Sequence, residues 1–270
     1  MTKSVFHYEI EELVPYIDWS YFFHAWGLEG KENDKKAMEE IRHDAEEMLK
    51  DMNGKYRTHA IFALCDAHSE GDDIIIENTR FPLLRQQHAK EGMPNLCLSD
   101  FISPESDNIG LFATSTDQQF GNEYSCDIYR NLIVQILTDR LAEATATLLH
   151  LNVRTKAKLW GYAADEILTI KELHQEKHQG IRPAVGYPSL PDQSVIFIIN
   201  RLLELKKIGI ELTPNGAMHP HASVCGLMLS HPATQYFAVG KITPEQFEDY
   251  SARRGIPSNE LLKFLSKNLE

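Results

Sequence analysis

The stretch from residue 125 to residue 155, SCDIYRNLIVQILTDRLAEATATLLHLNVRT, constrains the fold of this chain more than any other feature. It contains neither glycine nor proline, the two residues that interrupt helices most strongly. A run of this length without either residue predicts one long helix. Small apolar residues crowd its second half and leave little room there for a solvated face.

Shorter segments before this helix carry both helix and strand patterns. Residues 34–52 have an apolar stripe at helical spacing with a charged reverse face. Two β-rich runs joined around Gly71 predict a hairpin, and residues 108–116 predict a further strand. Because helices and strands do not alternate strictly, the sequence predicts an α+β fold with mainly antiparallel pairing, and one domain over residues 1–270.

Helix and strand patterns are also mixed in the C-terminal half. Asp192 and Thr243 stand where each would cap the start of a helix, and a proline follows Thr243 at the first helical turn. The strand-like runs 222–230 and 235–242 are separated by HPAT, which favours pairing between them. Further segments are predicted as helices at 169–178, 192–208 and 258–268, and as a strand at 208–214.

Charge and cysteine usage exclude several classes of partner. Lys and Arg number 27 against 39 Asp and Glu, which gives a net charge of -12. Because binding to nucleic acid or anionic lipid needs a basic face, neither partner is predicted. Apolar runs such as 195–199 are too short to span a bilayer, so no membrane association is predicted. An acidic N-terminal segment and four cysteines without a Cys-x-x-Cys pair predict a cytoplasmic protein with reduced thiols.

Common catalytic and metal-binding motifs are absent or incomplete. The sequence has no G-x-G-x-x-G, no phosphate loop and no G-x-S-x-G nucleophile elbow. His174 and His178 have the spacing of a helical metal-binding pair, with His219 and His221 further on. In zinc peptidases a glutamate directly follows the first histidine, whereas Glu176 lies two places on. The pattern therefore favours solvated histidines, and no metal is predicted.

The segment IRPAVGYPSLPD, residues 181–192, is called the proline strip below. A proline follows Arg182 and another follows Tyr187, and each keeps the preceding residue out of helical geometry. Gly186 permits a positive φ and a close approach of another molecule. A guanidinium fork, an aromatic face and a nearby acid, Glu176, suit a small zwitterionic ligand with a planar base. The alternative is a surface turn whose arginine pairs internally.

Two acidic residues stand in unusual surroundings. Glu143 is enclosed by small apolar residues of the long predicted helix, and a buried carboxylate needs a partner. An internal ion pair with Arg140 or Arg85 is one explanation, and a ligand-binding role is the other. Asp18, set between aromatic residues, is either a helix cap or a ligand-binding group.

The residues also resemble a known family over nearly the whole chain. The proline strip is similar to the R-P-A-x-G-Y-P segment of the S-adenosylmethionine-binding activation domain of cobalamin-dependent methionine synthase. Other stretches resemble that domain in the same order: YIDWSYFFHAWGLEGK, GDDI, LRQQ, CLSDFISP, DNIGLFATST, LTDRLAEATATLLHLNVR, LWGYA, AMHPHASVCGLMLSHPATQYFAVGKI and QFEDYSARRGI.

This resemblance implies a fold, a ligand and a role. The family's activation domain is one α+β unit with a curved antiparallel sheet and flanking helices. It binds S-adenosylmethionine in a groove that faces the cobalamin. There, an electron from a reductant, flavodoxin in some members, and the methyl group of S-adenosylmethionine convert inactive cob(II)alamin to methylcobalamin. This chemistry depends mainly on positioning, so no acid, base or nucleophile is predicted.

The resemblance also implies which residues contact the ligand. Arg182 would hold its carboxylate, while the backbone at Ala184, Gly186 and Tyr187 would line the nucleoside. Acidic positions around the ligand correspond to Asp18, Glu143 and Glu176, which suits a sulfonium cation. The family's Tyr-Tyr pair corresponds to Tyr236 and Phe237.

Three departures from the family pattern bear on the partner. The chain begins near the family's domain boundary, so it is expected to act on a cobalamin-binding module of a separate chain and not to make methionine alone. Residues 219–221 and 190–196 differ from the family. Two alternatives therefore stay open: an activator of a different corrinoid methyltransferase, or a non-catalytic module that only binds S-adenosylmethionine.

Overall fold

A computed structural model describes residues 1–28 and 34–270. The last three residues of the stretch YIDWSYFFHAWGLEGK lie outside the described residues. The helices are α1 (Ile10–Leu13), α2 (Trp19–Ala25), α3 (Lys35–Met52), α4 (Ile128–Thr155), α5 (Ile170–His174), α6 (Ile196–Leu203), α7 (Pro244–Arg254) and α8 (Ser258–Leu265). The strands are β1 (Thr2–Glu9), β2 (Arg57–Glu70), β3 (Asp73–Ile76), β4 (Thr79–Pro82), β5 (Asp107–Thr116), β6 (Glu211–Leu212), β7 (Met218–His219) and β8 (Ser223–Met228).

The long predicted helix is α4, and it begins at a capped residue. Asp127 accepts a hydrogen bond of 3.1 Å from the backbone N–H of Arg130, which satisfies one of the free donors at the helix start. The helix packs against β2, β5 and β8 on one side and against α1, α2 and α3 on others. It is therefore enclosed over most of its length, as its apolar sequence predicts.

The main sheet is antiparallel, in the order β4-β3-β2-β5-β8. The 14-residue strand β2 pairs with β1 through residues 57–64 and with β3 through residues 67–70. The hairpin predicted around Gly71 is the β2–β3 turn, and the prediction of a curved antiparallel sheet with flanking helices is confirmed. The edge strand β1 was not predicted.

The sheet separates two apolar cores because successive side chains of a strand point to opposite faces. On β2, Ile61, Ala63 and Cys65 enter the core that α6 covers, together with the buried residues of the proline strip. Ala60 and Phe62 enter the opposite core, which α3 and α4 cover. A smaller cluster joins α7 and α8. The proline strip and α4 consequently approach each other around the edge of the sheet at β8.

Several predicted boundaries in the C-terminal half are wrong. Residues 235–242 form no strand with β8, because β8 pairs with β5 on one edge and the proline strip occupies its other edge. The strand predicted at 208–214 is reduced to the two residues of β6. Helix α5 ends at His174, and α6 is shorter than residues 192–208 because one-turn 3-10 helices flank it.

The predicted helix caps are present. Asp192 accepts from the backbone N–H of Ser194 at 2.8 Å, and Thr243 accepts from that of Gln246 at 3.3 Å. In the described part of the chain, none of the helices has the length and hydropathy needed to cross a bilayer.

Candidate ligand-binding site

The proline strip is held against the free edge of β8 by backbone hydrogen bonds. The N–H of Leu227 donates to the carbonyl of Pro183 at 3.0 Å, and the N–H of Val185 donates to the carbonyl of Cys225 at 2.9 Å. Between these bonds Ala184 lies opposite Gly226. In such a pair the N–H and C=O groups of Ala184 point away from β8. Its carbonyl accepts from the N–H of Tyr187 at 3.2 Å, and Ala184 lines the cavity described below.

Gly226 makes this close approach possible. A Cβ atom at Gly226 would overlap the carbonyl oxygen of Pro183 and would lie 2.8 Å from the Cα atom of Ala184. A glycine in strand β8 therefore determines how closely the strip packs on the sheet.

A tight turn in the strip presents the side chain of Tyr187. Gly186 has a φ of 85°, and its N–H donates to the carbonyl of Leu190 at 2.9 Å. The N–H of Leu190 in turn donates to the carbonyl of Tyr187 at 2.9 Å. Gly186 itself lies beside Gln193, on the far side of the turn from the cavity, so its contribution is to the backbone geometry.

A cavity of about 560 Å³ lies between the strip, α4, the start of α2 and residues 236–238. It brings together, from five separate parts of the chain, nearly all the residues that the sequence singles out. Those residues are Asp18, Glu143, Glu176, Arg182, Ala184, Tyr187, Tyr236 and Phe237.

Arg182 is fixed at both ends by hydrogen bonds to neutral groups. Its backbone N–H donates to the hydroxyl of Tyr236 at 3.0 Å, and its Nη2 atom donates to Oγ1 of Thr147 at 3.0 Å. No carboxylate within the described residues forms an ion pair with it. The alternative of an internally paired arginine is therefore not what the structure contains. A half-buried guanidinium with unused donors is a binding group for a carboxylate.

Glu143 has a different partner from the two considered above. Its Oε1 atom accepts a hydrogen bond of 3.0 Å from the hydroxyl of Tyr187. Arg85 pairs instead with Asp72 and Asp100. The negative charge of Glu143, with burial, raises the pKa of Tyr187 to about 12. Glu143 thus places a carboxylate in the cavity wall.

The other two acids reach the cavity from loops. Asp18 caps α2 through Oδ1, which accepts from the backbone N–H of Ser20 at 2.9 Å, so it is a helix cap that also lines the cavity. Glu176 has a φ of 55°, in the left-handed region that ordinary side chains avoid. Although much of Glu176 is exposed, burial of its carboxyl raises its pKa, and the charge of Arg182 opposes that shift.

Together these groups form a cavity lined by three acids, two arginines (Arg140 and Arg182) and several aromatic rings. Carboxylates favour a cationic ligand, the guanidinium favours a carboxylate, and the rings of Tyr21, Tyr187 and Tyr236 offer faces to a planar base. The cavity can therefore bind a zwitterionic ligand with an added positive charge.

A polar column along α4 supports this site and was not predicted. Glu143, Thr147, His150 and Arg154 are spaced by four, three and four residues, which places them on one face of the helix. Their partners are Tyr187, Arg182, Tyr162 and Glu166, respectively. The spacing of polar residues in an otherwise apolar helix is the signal that could have revealed it.

Two of the four histidines considered for a metal site, His174 and His178, lie within hydrogen-bond distance of backbone carbonyls. His174 lies within hydrogen-bond distance, 3.2 Å, of the carbonyl of Tyr16, and Nδ1 of His178 donates to the carbonyl of Gly180 at 3.1 Å. His178 is buried against His150, so the expectation of a solvated histidine is wrong at that position. Burial lowers the pKa of His178 to about 4.

Comparison with known proteins identifies the family. Residues 9–255 match the family model of the vitamin B12 dependent methionine synthase activation domain. The chain belongs to this family. A crystal structure of the MetH reactivation domain bound to AdoHcy is also similar to the activation domain described here, with a TM-score of 0.93 and 36% sequence identity. The match covers 100% of this chain and 90% of the other.

Proposed function

We propose that this activation domain binds S-adenosylmethionine in the cavity and presents its methyl group to a cobalamin held by a cobalamin-binding module outside residues 1–270. The observation that carries the proposal is the unpaired guanidinium of Arg182 in a cavity whose other charged groups are mainly acidic. S-Adenosylmethionine has the complementary charges: one carboxylate, one ammonium and one sulfonium. The AdoHcy bound to the related reactivation domain, S-adenosylhomocysteine, is the product of removing that methyl group.

Each group in the cavity has a proposed contact. Arg182 binds the carboxylate of the ligand, and the backbone at Ala184 lines the nucleoside. Asp18, Glu143 and Glu176 stabilise the ammonium and the sulfonium. The rings of Tyr187, Tyr236 and Phe237 enclose the adenosine, and Gly186 sets the turn that places Tyr187.

The proposed reaction is reductive methylation of the cobalamin held by that module. When present in its own module and reduced by one electron from a donor such as a flavodoxin, cobalamin would supply the nucleophile, and the methyl group would end up bonded to its cobalt. The bond between sulfur and the methyl carbon breaks, and the sulfonium becomes the neutral thioether of S-adenosylhomocysteine. The domain itself transfers no proton. It orients the methyl group, and its acids neutralise the positive charge of the sulfonium until that charge is lost with the methyl group. Residues 1–270 thus contribute the activation step to methionine synthesis.

Calorimetric titration with S-adenosylmethionine and with S-adenosylhomocysteine tests the binding step. Arg182→Ala removes the proposed donor to the ligand's carboxylate. Both affinities should therefore fall by about tenfold or more. Arg201→Ala removes an exposed arginine of α6 and is the matched control, expected to bind as the unaltered chain does. Absence of binding to the unaltered chain, with or without the cobalamin-binding module, would refute the proposal.

Methylcobalamin formation tests the second step and separates the alternatives. The chain is mixed with a methionine synthase module loaded with cob(II)alamin, a chemical reductant and S-adenosylmethionine, and the corrinoid spectrum is recorded. Residues 219–221, which depart from the family, include the exposed His219 and His221. If ligand binds but no methylcobalamin forms, other corrinoid proteins should be tried next. If none is methylated, a module that only binds S-adenosylmethionine is the better description.

A further inference from the structure

Thr147 lies between α4 and the guanidinium of Arg182, and its hydroxyl has a fixed direction. The residue is 8% exposed. Its Oγ1 atom is 3.1 Å from the carbonyl oxygen of Glu143, one helical turn earlier, and 3.0 Å from Nη2 of Arg182. An arginine can only donate and a carbonyl can only accept. The single hydroxyl proton therefore goes to Glu143, and a lone pair of Thr147 accepts from Arg182.

The backbone of Arg182 is fixed independently of its side chain. Its N–H donates to Tyr236, and the next carbonyl, that of Pro183, accepts from Leu227 of β8. Between this backbone and the guanidinium lie rotatable bonds that these contacts do not restrict. In the described residues, the guanidinium has one hydrogen-bonded side-chain partner, and that partner is Thr147.

We propose that Thr147 is a positioning residue that orients the Arg182 guanidinium towards the carboxylate of the ligand. The Thr147 hydroxyl accepts one Nη2 proton of Arg182. The remaining N–H donors of the guanidinium stay available to a ligand in the cavity. Thr147 thereby favours adenosyl sulfonium ligands that retain the carboxylate over those that lack it. This inference rests on the proposed binding of S-adenosylmethionine and assigns a source to its selectivity.

Two ligands and a valine substitution test this role. Thr147→Val keeps the branched shape and removes the hydroxyl. Loss of one hydrogen bond to a charged group should weaken S-adenosylmethionine binding by about five- to tenfold. Decarboxylated S-adenosylmethionine keeps the adenosine, the sulfonium and the ammonium, and its affinity should change by less than about twofold since it makes no bond to Arg182. The measured quantity is the ratio of the two dissociation constants.

Three further variants test whether a change in this ratio is due to the Thr147 hydroxyl and its bond to Arg182. Thr147→Ser restores a hydroxyl and should restore the ratio of the unaltered chain. In the Arg182→Ala background, Thr147→Val should cause no further change in the ratio. Thr155→Val is the matched control, because the Thr155 hydroxyl donates to a carbonyl one turn earlier in the same helix, Leu151, at 2.8 Å.

Each outcome decides a separate point. An unchanged ratio in Thr147→Val, or an equal loss for both ligands, would overturn the positioning role. If Thr147→Val does not fold, the same ratio is measured for Thr147→Ala, which favours helix formation. Failure of the unaltered chain to bind S-adenosylmethionine would refute the proposed function instead. Suppose that the unaltered chain binds S-adenosylmethionine and that Arg182→Ala loses affinity whereas Thr147→Val does not. That result would refute the role of Thr147 and leave the proposed function standing.

Discussion

The hydroxyl of Tyr187 donates a hydrogen bond of 3.0 Å to Oε1 of Glu143 and thereby joins the proline strip to helix α4 across the candidate site. The two residues are 44 positions apart in the chain. The contact explains how a buried helix can hold a carboxylate without an arginine partner, because the phenol supplies the hydrogen bond.

The titration of Tyr187 should report this contact. Its pKa is raised to about 12, first by the negative charge of Glu143, which disfavours a second negative charge on the phenol. Glu143→Gln should therefore lower the pKa of Tyr187 towards the ordinary value of 10.0. The measurement is an NMR titration with ring-labelled tyrosine, with Tyr187→Phe used to assign the signal. An identical pKa in Glu143→Gln and the unaltered chain would contradict the contact.

Gly226→Ala should displace the proline strip. The added methyl group would overlap the carbonyl oxygen of Pro183, a backbone atom that cannot rotate away. Overpacking of this kind costs about 1–3 kcal/mol in the free energy of unfolding. Because the strip carries Arg182, the affinity for S-adenosylmethionine should fall as well. Urea unfolding and calorimetry measure the two effects.

Gly255→Ala provides the control for that substitution. Gly255 follows α7 with a φ of 62°, and no atom lies within 4 Å of an added Cβ. Alanine in this left-handed conformation should cost about 1 kcal/mol of stability. Ligand affinity should be retained, since Gly255 is not among the residues that line the cavity. Loss of affinity in both variants would mean that it follows global stability and not the position of the strip.

Much of the architecture could be predicted where one residue pattern determines one local structure. The absence of glycine and proline indicated α4, and the turn residues around Gly71 indicated the β2–β3 hairpin. Residues 235–242 have the composition of a strand but form none, because the strip already occupies the second edge of β8. Competition for a sheet edge depends on tertiary packing and leaves no local pattern in the sequence.

In the candidate site, too, local patterns could be predicted from the sequence and tertiary contacts could not. The proline strip and its arginine could be recognised locally, and the family resemblance indicated the acids. The partners of those residues could not be predicted, because Thr147 meets Arg182 only when α4 packs beside β8. Likewise the sequence offers an arginine or a ligand as partner for Glu143, although the hydroxyl of Tyr187 donates to its carboxylate.

Glu166→Gln should destabilise the fold strongly. Nε of Arg154 lies 2.9 Å from Oε2 of Glu166, and the two side chains are 1% and 13% exposed. Removing the carboxylate charge leaves the buried guanidinium without a counter-charge, which costs about 3–5 kcal/mol. Urea unfolding measures the loss. Adding Arg154→Met should recover part of it, because the unpaired charge is then gone.

An exposed pair is the control for this effect. Lys36 and Glu40 lie 3.6 Å apart on α3 with side chains 88% and 66% exposed. Glu40→Gln should change the free energy of unfolding by no more than about 1 kcal/mol, since water screens the interaction. Equal losses for Glu166→Gln and Glu40→Gln would show that the buried pair contributes nothing specific.

The ionised carboxylate of Glu176 should destabilise the ligand-free fold and strengthen ligand binding. Burial raises its pKa in the folded protein above the ordinary 4.5. The folded state therefore binds the proton more tightly than the unfolded state, and the ionised carboxylate disfavours folding. That unfavourable contribution is absent below pH 4.5 and grows as the pH rises through the raised pKa. Glu176→Gln should consequently make the ligand-free protein more stable at pH 7 and equally stable near pH 4, as measured by urea unfolding.

The same substitution should weaken S-adenosylmethionine binding at pH 7, because the ligand's cationic groups lose a nearby negative charge. Greater stability with lower affinity is the expected pair of results, and it separates a ligand-binding acid from one that merely stabilises the fold. Glu39→Gln, on the exposed face of α3, should change the free energy of unfolding by no more than about 0.5 kcal/mol and leave the affinity unaltered. A Glu176→Gln variant that is less stable at pH 7 and binds normally would assign Glu176 a structural role.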